Sequence, residues 1–255
     1  NGLLRLATDL PVRKDRREPP ATSPGSQKLL NKVVEFYHKT LFQSPDGLEY
    51  LKSRGLTDQA LFETFHVGFC NETLRDVLPP DDEITKDLQS LGILGVHGKE
   101  HFRNCVVFPI FSAEGNVTEI YGRNIQPDAR IKHLYLPGPH RGVWNSVCLK
   151  DIAHVRAHAF LTDTILLTES VLDAAAVWQA GHRNVIPCYG ANGLTREHVD
   201  LIRASDAKRI LLVMDGDEAG RNAVTRMTKK LSPLGLDIQS ITFPETHDPA
   251  SFIQE

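Results

Sequence analysis

The chain has 255 residues, 41% hydrophobic and 24% charged, with 18 glycines and 15 prolines. These proportions exclude a disordered or low-complexity protein and predict one large domain or two modest ones. The net charge of −3 argues against a uniformly basic nucleic-acid binder, and no apolar run approaches a bilayer span, so no membrane association is expected.

Four cysteines, Cys70, Cys105, Cys148 and Cys188, are scattered without a Cys-x-x-Cys. That spacing excludes a zinc ribbon in this piece and predicts reduced, buried thiols in a cytoplasmic protein. The chain opens on Asn1 and its first residues lack an apolar signal core, which predicts a piece excised from a longer protein. Local charge alternates: +3 over residues 1–60, −5 over 61–96, +3 over 97–160 and −4 over 161–255.

In chain order, Pro11 to Ser26 is polar, basic and proline-bearing, as in an exposed linker. From Ser26, a candidate N-cap, Leu29, Leu30, Val33, Val34, Tyr37 and Leu41 recur at helical spacing. A second helix is predicted over Asp46–Arg54, stopped by Gly55, and a third after Thr57, with Leu61, Phe62 and Phe65 apolar. Phe65–Phe69 has strand character, and Asp81–Leu91 reads as a helix ended by Gly92. Val106–Phe111 and Val117–Tyr121 flank a glycine-bearing loop, a hairpin signal, with Pro109 marking an edge or bulge. Gly122–Trp144 is expected to be loop. The six histidines between residues 97 and 160 lack metal-ligand spacing and read as surface groups, although His133 and Tyr135 could stack on a base. Trp144 and Trp178 are assigned to the core.

From Thr164 the rhythm changes. Strands over Thr164–Thr168, Asn184–Cys188, Arg209–Met214 and Asp237–Phe243 alternate with helices over Val171–Gln179, Arg196–Ala204 and Ala219–Leu231. Such alternation implies a mostly parallel sheet covered by helices. In that architecture chemistry gathers beyond the carboxyl ends of the strands. Glu169 follows the first strand, Asp215 and Asp217 the third, and Asp248 the fourth, while Asp173 lies one helical turn after Glu169. One such carboxylate alone is more often a helix N-cap. Their conjunction points further, because clustered carboxylates repel and need a compensating cation. Hard oxygen ligands in an open crevice suit Mg²⁺ or Mn²⁺, and two ions about 4 Å apart can stabilise attacking and leaving oxygens in nucleotidyl transfer. Gly216 and Gly220 allow a tight turn and a close helix; the spacing to a later Glu excludes an EF-hand loop.

Glu169 after an apolar strand, followed by Asp215-Gly216-Asp217-Glu218-Ala219-Gly220 after another, resembles the Toprim domain of DnaG-type primases, topoisomerases and some nucleases. Upstream, Tyr50-Leu51-Lys52-Ser53-Arg54-Gly55-Leu56, Val67-Gly68-Phe69, the run from Phe102 to Ile110 and Tyr121-Gly122-Arg123 resemble the DnaG-type catalytic core in order. The resemblance covers roughly residues 30–255. It implies a basic linker over 1–26, a smaller α+β lobe with a basic groove over 27–160, and over 161–255 an α/β Toprim-type, mostly parallel sheet flanked by helices.

The same resemblance implies a DNA-dependent RNA primase making short RNA primers on single-stranded DNA from ribonucleoside triphosphates. Glu169, Asp173, Asp215, Asp217 and Asp248 would hold two or more Mg²⁺ or Mn²⁺ ions, with Glu169, Asp215 and Asp217 catalytic. Arg54, Arg103, Asn104, Arg123 and Lys132 would line the groove for template, primer or nucleotide. Zinc would belong to a preceding module, and a replicative helicase would be met through flanking regions. The chain departs from the family in three places. Ser170 stands where primases place glycine, Asp248-Pro249-Ala250 lacks the second carboxylate of D-P-D, and Ile131-Lys132-His133-Leu134-Tyr135-Leu136 replaces K-Y-L. The alternatives are a metal-dependent Toprim nuclease and an inert nucleic-acid-binding or replisome-docking module. A topoisomerase would need a separate tyrosine-bearing domain, for which this length leaves no room.

Overall fold

A computed structural model describes residues 23–150, 163–190 and 193–254. Most of the basic linker, the expected lobe boundary near residue 160, and His154 and His158 lie outside the described residues.

The first helix, α1 (Pro24–Gln43), starts earlier than the apolar pattern suggests. Ser23, not Ser26, is its N-cap: Ser23 Oγ accepts the Ser26 N–H at 3.1 Å, and Pro24 takes the first turn, where no N–H is needed. Its buried stripe is Leu30, Val33, Val34, Tyr37 and Leu41. Next come α2 (Pro45–Ser53) and α3 (Gln59–Thr64). Asp58, not Thr57, caps α3, because its carboxylate reaches the Ala60 N–H at 2.8 Å. Phe65 closes that helix instead of opening a strand. His66 then reverses the chain at φ 49°, and β1 spans only Gly68–Cys70. Short α4 (Leu74–Val77), which the sequence reading lacked, precedes α5 (Asp82–Ser90), capped by Asp81.

The hairpin forms as expected from β2 (Cys105–Phe111) and β3 (Val117–Asn124). β1 pairs with β2 only as far as Val107, so Pro109 sits where that side is open, and a bulge follows between Ile110 and Phe111. The segment expected to be loop contains β4 (His133–Tyr135), which pairs with β3 and completes an antiparallel sheet of order β1-β2-β3-β4. Three residues are too few for an alternation signal.

After the single turn α6 (Val147–Lys150) the second sheet begins. It comprises β5 (Thr164–Thr168), β6 (Val185–Pro187), β7 (Arg209–Val213) and β8 (Asp237–Ile241), in the order β6-β5-β7-β8 with every pair parallel. β5 is buried along its whole length, as a strand covered on both faces must be. The helices are α7 (Val171–Gln179), α8 (Arg196–Ala204), α9 (Glu218–Leu231) and α10 (Pro249–Phe252).

One hydrophobic core crosses between the two sheets' lobes. Leu61, Phe62 and Phe65 pack with Trp144, Val171, Ala174, Ala175 and Trp178. The Phe65 ring lies 4.0 Å from Trp144 and 5.1 Å from Trp178, so both tryptophans are core, as expected. Beside them Gln179, at the end of α7, reads the turn after α2. Its Oε1 accepts the N–H groups of Thr57 and Asp58 at 2.8 Å each, and its Nε2 donates to the Gly55 carbonyl at 2.7 Å. Gly55, at φ 73°, makes the left-handed helix exit that this turn requires.

The first lobe buries two carboxylates with complete sets of partners. Glu100, 2% exposed, accepts from Tyr37 Oη at 2.8 Å, Cys70 Sγ at 3.0 Å and the Leu74 N–H at 2.9 Å. Glu119 accepts the N–H groups of Ile120 and Leu136 and faces His140 Nδ1 at 3.2 Å. All four cysteines are free and buried, and burial pushes the Cys105 and Cys148 thiols up to about 12.

Candidate functional site

β5 and β7 are parallel neighbours with Thr168 opposite Val213. The chain therefore leaves both strands at one edge, and Glu169 emerges beside the Met214–Asp215 exit. Ser170 caps α7: its Oγ accepts the Asp173 N–H and donates to Asp173 Oδ2 at 2.5 Å. Asp173 is thereby held in the first turn, on the crevice side of Glu169.

The Asp215–Gly220 turn tolerates no side chain at its glycines. A Cβ on Gly216 would lie 2.0 Å from the Pro244 carbonyl, and one on Gly220 2.0 Å from that of Asp215. The Gly216 N–H donates to the His247 carbonyl at 2.9 Å, which draws Asp248 to the same edge. Asp217 caps α9, its Oδ1 accepting the Gly220 N–H at 2.8 Å. Asp248 caps α10, its Oδ1 accepting the Ser251 N–H at 2.6 Å, while its Oδ2 accepts from Arg54 Nη2 at 2.9 Å. Helix capping, the bland role for such residues, and membership of the cluster thus coexist.

The cluster is electrostatically loaded. Burial, then the charges of Asp173, Glu169, Asp248 and Asp217, pushes the Asp215 carboxyl up to about 7. Burial pushes Asp173 up to about 6, with Asp248 and Glu169 adding to it while the Ser170 hydroxyl and Arg54 oppose it. Burial acts on Asp248 too, but the Ser251 hydrogen bonds and the Arg54 guanidinium outweigh it and hold that carboxyl below its ordinary range. Asp215 Oδ1 is buried with no hydrogen-bond partner among the described residues. A hard divalent cation would relieve both the repulsion and the unpartnered oxygen, so the donor set fits Mg²⁺ or Mn²⁺. Among the described residues no group of three or more His, Cys, Asp or Glu side chains is disposed to hold a metal ion as it stands. A hard cation held by these carboxylates would need water and substrate oxygens to complete its shell.

The five groove residues separate. Arg54, at the end of α2, joins the carboxylates through Asp248. Arg123 lies next to that arrangement: its Nε donates to Tyr50 Oη at 3.0 Å and its Nη1 to His133 Nε2 at 2.5 Å. Tyr50 lies one helical turn before Arg54, so this i, i+4 pair links both arginines to the crevice. Arg103 and Asn104 line a different cleft of about 1100 Å³, with Lys99, Asn124, Gln126 and Arg130. Lys132 turns back on its own loop, donating to the Gln126 and Pro127 carbonyls at 2.5 and 2.7 Å. Tyr135 is held among Tyr121, His140 and Tyr189, whereas His133 stays exposed. Tyr50, Ser170 and Gln179 were not among the residues singled out for the site. The Tyr50–Arg54 spacing and the serine at 170, where primases place glycine, were signals in the sequence; Gln179 had none.

A parallel sheet with Glu169 after one strand and Asp215-Gly216-Asp217 after its neighbour places the chain in the Toprim class, and residues 166–253 match the Toprim-like family. Residues 36–144 match the DNA primase catalytic core, N-terminal domain. With both domains in this order, the chain belongs to the DnaG-type primase family. It is 32% identical over 232 residues to a DNA primase of Helicobacter pylori strain J99, covering 88% of this chain and 40% of that protein. A DNA primase domain from Pseudomonas aeruginosa superposes with a TM-score of 0.74 at 27% identity, over 90% of this chain and 74% of that one. A DnaG primase catalytic domain bound to single-stranded DNA has the same fold, with a TM-score of 0.70 at 23% identity over 90% and 76% of the two chains. The chain thus spans less than half the length of the curated relatives it matches. Metal dependence is general among Toprim primases. Among the described residues no helix is long and apolar enough to cross a membrane.

Proposed function

We propose that this chain is the catalytic core of a DNA-dependent RNA primase, which joins ribonucleotides into short primers on single-stranded DNA. The observation that carries the reading is the loaded carboxylate cluster at the exits of β5 and β7 in a chain of this family. In this reading residues 27–160 form the groove lobe, residues 161–255 the metal-binding lobe and residues 1–26 a basic tail.

Glu169, Asp215 and Asp217 would hold the ions, with Asp173 supporting and Asp248, paired with Arg54, held in reserve. Two Mg²⁺ or Mn²⁺ ions held there would supply charge stabilisation to the attacking 3′-oxygen and the departing pyrophosphate. Arg54 and Arg123, beside the carboxylates, would bind the triphosphate as forked donors. Arg103 and Asn104, in their separate cleft, would track the strand, whose phosphates each carry one negative charge. Lys132 would shape that cleft's rim by tethering the 126–132 loop. A relative's complex with single-stranded DNA supports the choice of template. Ribonucleoside triphosphates, a replicative helicase met through regions outside this chain, and a cytoplasmic setting complete the proposal.

The test is incubation with single-stranded DNA, labelled ribonucleotides and Mg²⁺ or Mn²⁺. Short RNA products are expected, and Asp215→Asn should abolish them without unfolding the protein. Wild-type product levels from that variant would refute the assignment. Cutting of DNA without nucleoside triphosphates would replace it with a nuclease, and no carboxylate-dependent metal uptake with an inert docking module.

A further inference from the structure

Arg54 and Asp248 are 194 residues apart in sequence and belong to different lobes, yet Nη2 and Oδ2 meet at 2.9 Å. The pair is one-third exposed or less, 33% for Arg54 and 27% for Asp248, at the edge of the carboxylate crevice. Chance surface pairing does not account for it, because the residues after Arg54 are fixed. Gln179 binds Gly55, Thr57 and Asp58 through three hydrogen bonds, and the Gln254 side chain occupies the space where a Cβ on Gly55 would go. The Arg54 N–H is itself tied to the carbonyls of Tyr50 and Leu51. A rigid turn thus delivers the guanidinium to the crevice, within electrostatic reach of Asp173 as well.

Asp248 in turn has both oxygens committed, Oδ1 to the Ser251 N–H and Oδ2 to Arg54. Its neighbour Ala250, buried in the core, adds no second carboxylate. A cation entering the crevice therefore finds Asp215 Oδ1 without a hydrogen-bond partner, but Asp248 already neutralised.

We propose that Arg54 is a resident counter-cation of the crevice: it holds Asp248 out of the divalent-ion shell, and an ion recruits that carboxylate only by displacing the guanidinium. This inference rests on the metal-binding reading proposed above. Removing the arginine should strengthen ion binding, opposite in sign to the effect of losing a phosphate-binding residue that merely props up the site.

The experiment is calorimetric titration of the full 255-residue chain with Mn²⁺, without DNA or nucleotide. Wild type, Arg54→Gln, Asp248→Asn and the double variant are compared, with thermal melts to confirm folding. Arg54→Gln should bind Mn²⁺ about fivefold more tightly, the scale expected for a partly exposed pair. Asp248→Asn should bind within about twofold of wild type, and in its background most of the Arg54→Gln gain should vanish. If Arg54→Gln does not fold, the single Asp248→Asn result decides, and a tenfold weakening there overturns the inference. Uptake by wild type with no tightening in Arg54→Gln overturns this inference alone. No uptake by wild type overturns the metal-binding reading and this inference with it.

Discussion

Glu100 is a fully buried carboxylate and Asp215 a half-buried one, and they are treated in opposite ways. Glu100 meets a hydroxyl, a thiol and a backbone N–H, one donor after another, in the first lobe. Asp215 meets other carboxylates and keeps one oxygen without a hydrogen-bond partner. Matched donors make a buried acid a structural tie, since each bond compensates lost hydration. Like charges make it a site in waiting, stabilised only when something positive arrives. The identity of the neighbours, more than the depth of burial, sets the two apart.

That contrast can be broken most decisively at Glu100. Glu100→Ala orphans three buried donors and should cost about 3–5 kcal/mol in denaturant unfolding. Mn²⁺ uptake measured in native buffer should not change. A loss below about 1 kcal/mol would show that its bonds are not the structural tie inferred here.

His198 gives the basic counterpart. Burial lowers its pKa to about 4; its Nδ1 accepts the Thr195 N–H and its Nε2 donates to the Pro187 carbonyl, the pattern of a neutral ring. Because the folded value lies below the unfolded one, this stability is complete above about pH 6.5 and is lost as pH falls toward 4. The loss should reach about 3 kcal/mol, read from unfolding at pH 7.5 and 4.5, and His198→Gln should flatten it.

Asp215 runs the other way. Its raised carboxyl favours the fold at low pH, and that contribution disappears as pH rises from about 4 through 7. Asp215→Asn should therefore stabilise the metal-free protein at pH 8 by about 1–2 kcal/mol, measured by thermal melting. It should also steepen the acid loss due to His198. Destabilisation at pH 8 would contradict the repulsion described here.

The smallest effect is expected at the seam. Gln179→Ala removes three hydrogen bonds and should cost about 1 kcal/mol. Hydrogen exchange at the Thr57 and Asp58 amides should accelerate while the parallel sheet stays protected.

Much of the crevice was legible in the sequence because strand ends are. The apolar run Ile165–Leu167 within the strand Thr164–Thr168, followed by Glu169, and a second apolar run followed by Asp215-Gly216-Asp217, fix which edge the acids occupy once the strands are parallel neighbours. Gly55 and Gly92, which end α2 and α5, were equally readable, and each takes a positive φ. Capping was readable only to within a few residues: Ser23 and Asp58 won over Ser26 and Thr57 through side-chain reach that spacing does not encode. What could not be read is whatever joins distant segments. The Arg54–Asp248 pair, the grip of Gln179 on residues 55–58 and the tethering of Lys132 by its own loop carry no local pattern. Nor does β4, whose pairing depends on a neighbour already in place.

The aromatic seam has a consequence for how such a molecule can be rebuilt. Phe65, Trp144 and Trp178 share one packed volume, so the half bearing the acids has no finished surface where the other half rests. Grafting that half onto a foreign partner would leave indole and alanine faces wet and adhesive unless the recipient brought its own complementary plug. The joint is thus inherited as a matched pair, and each side limits how far the other can drift.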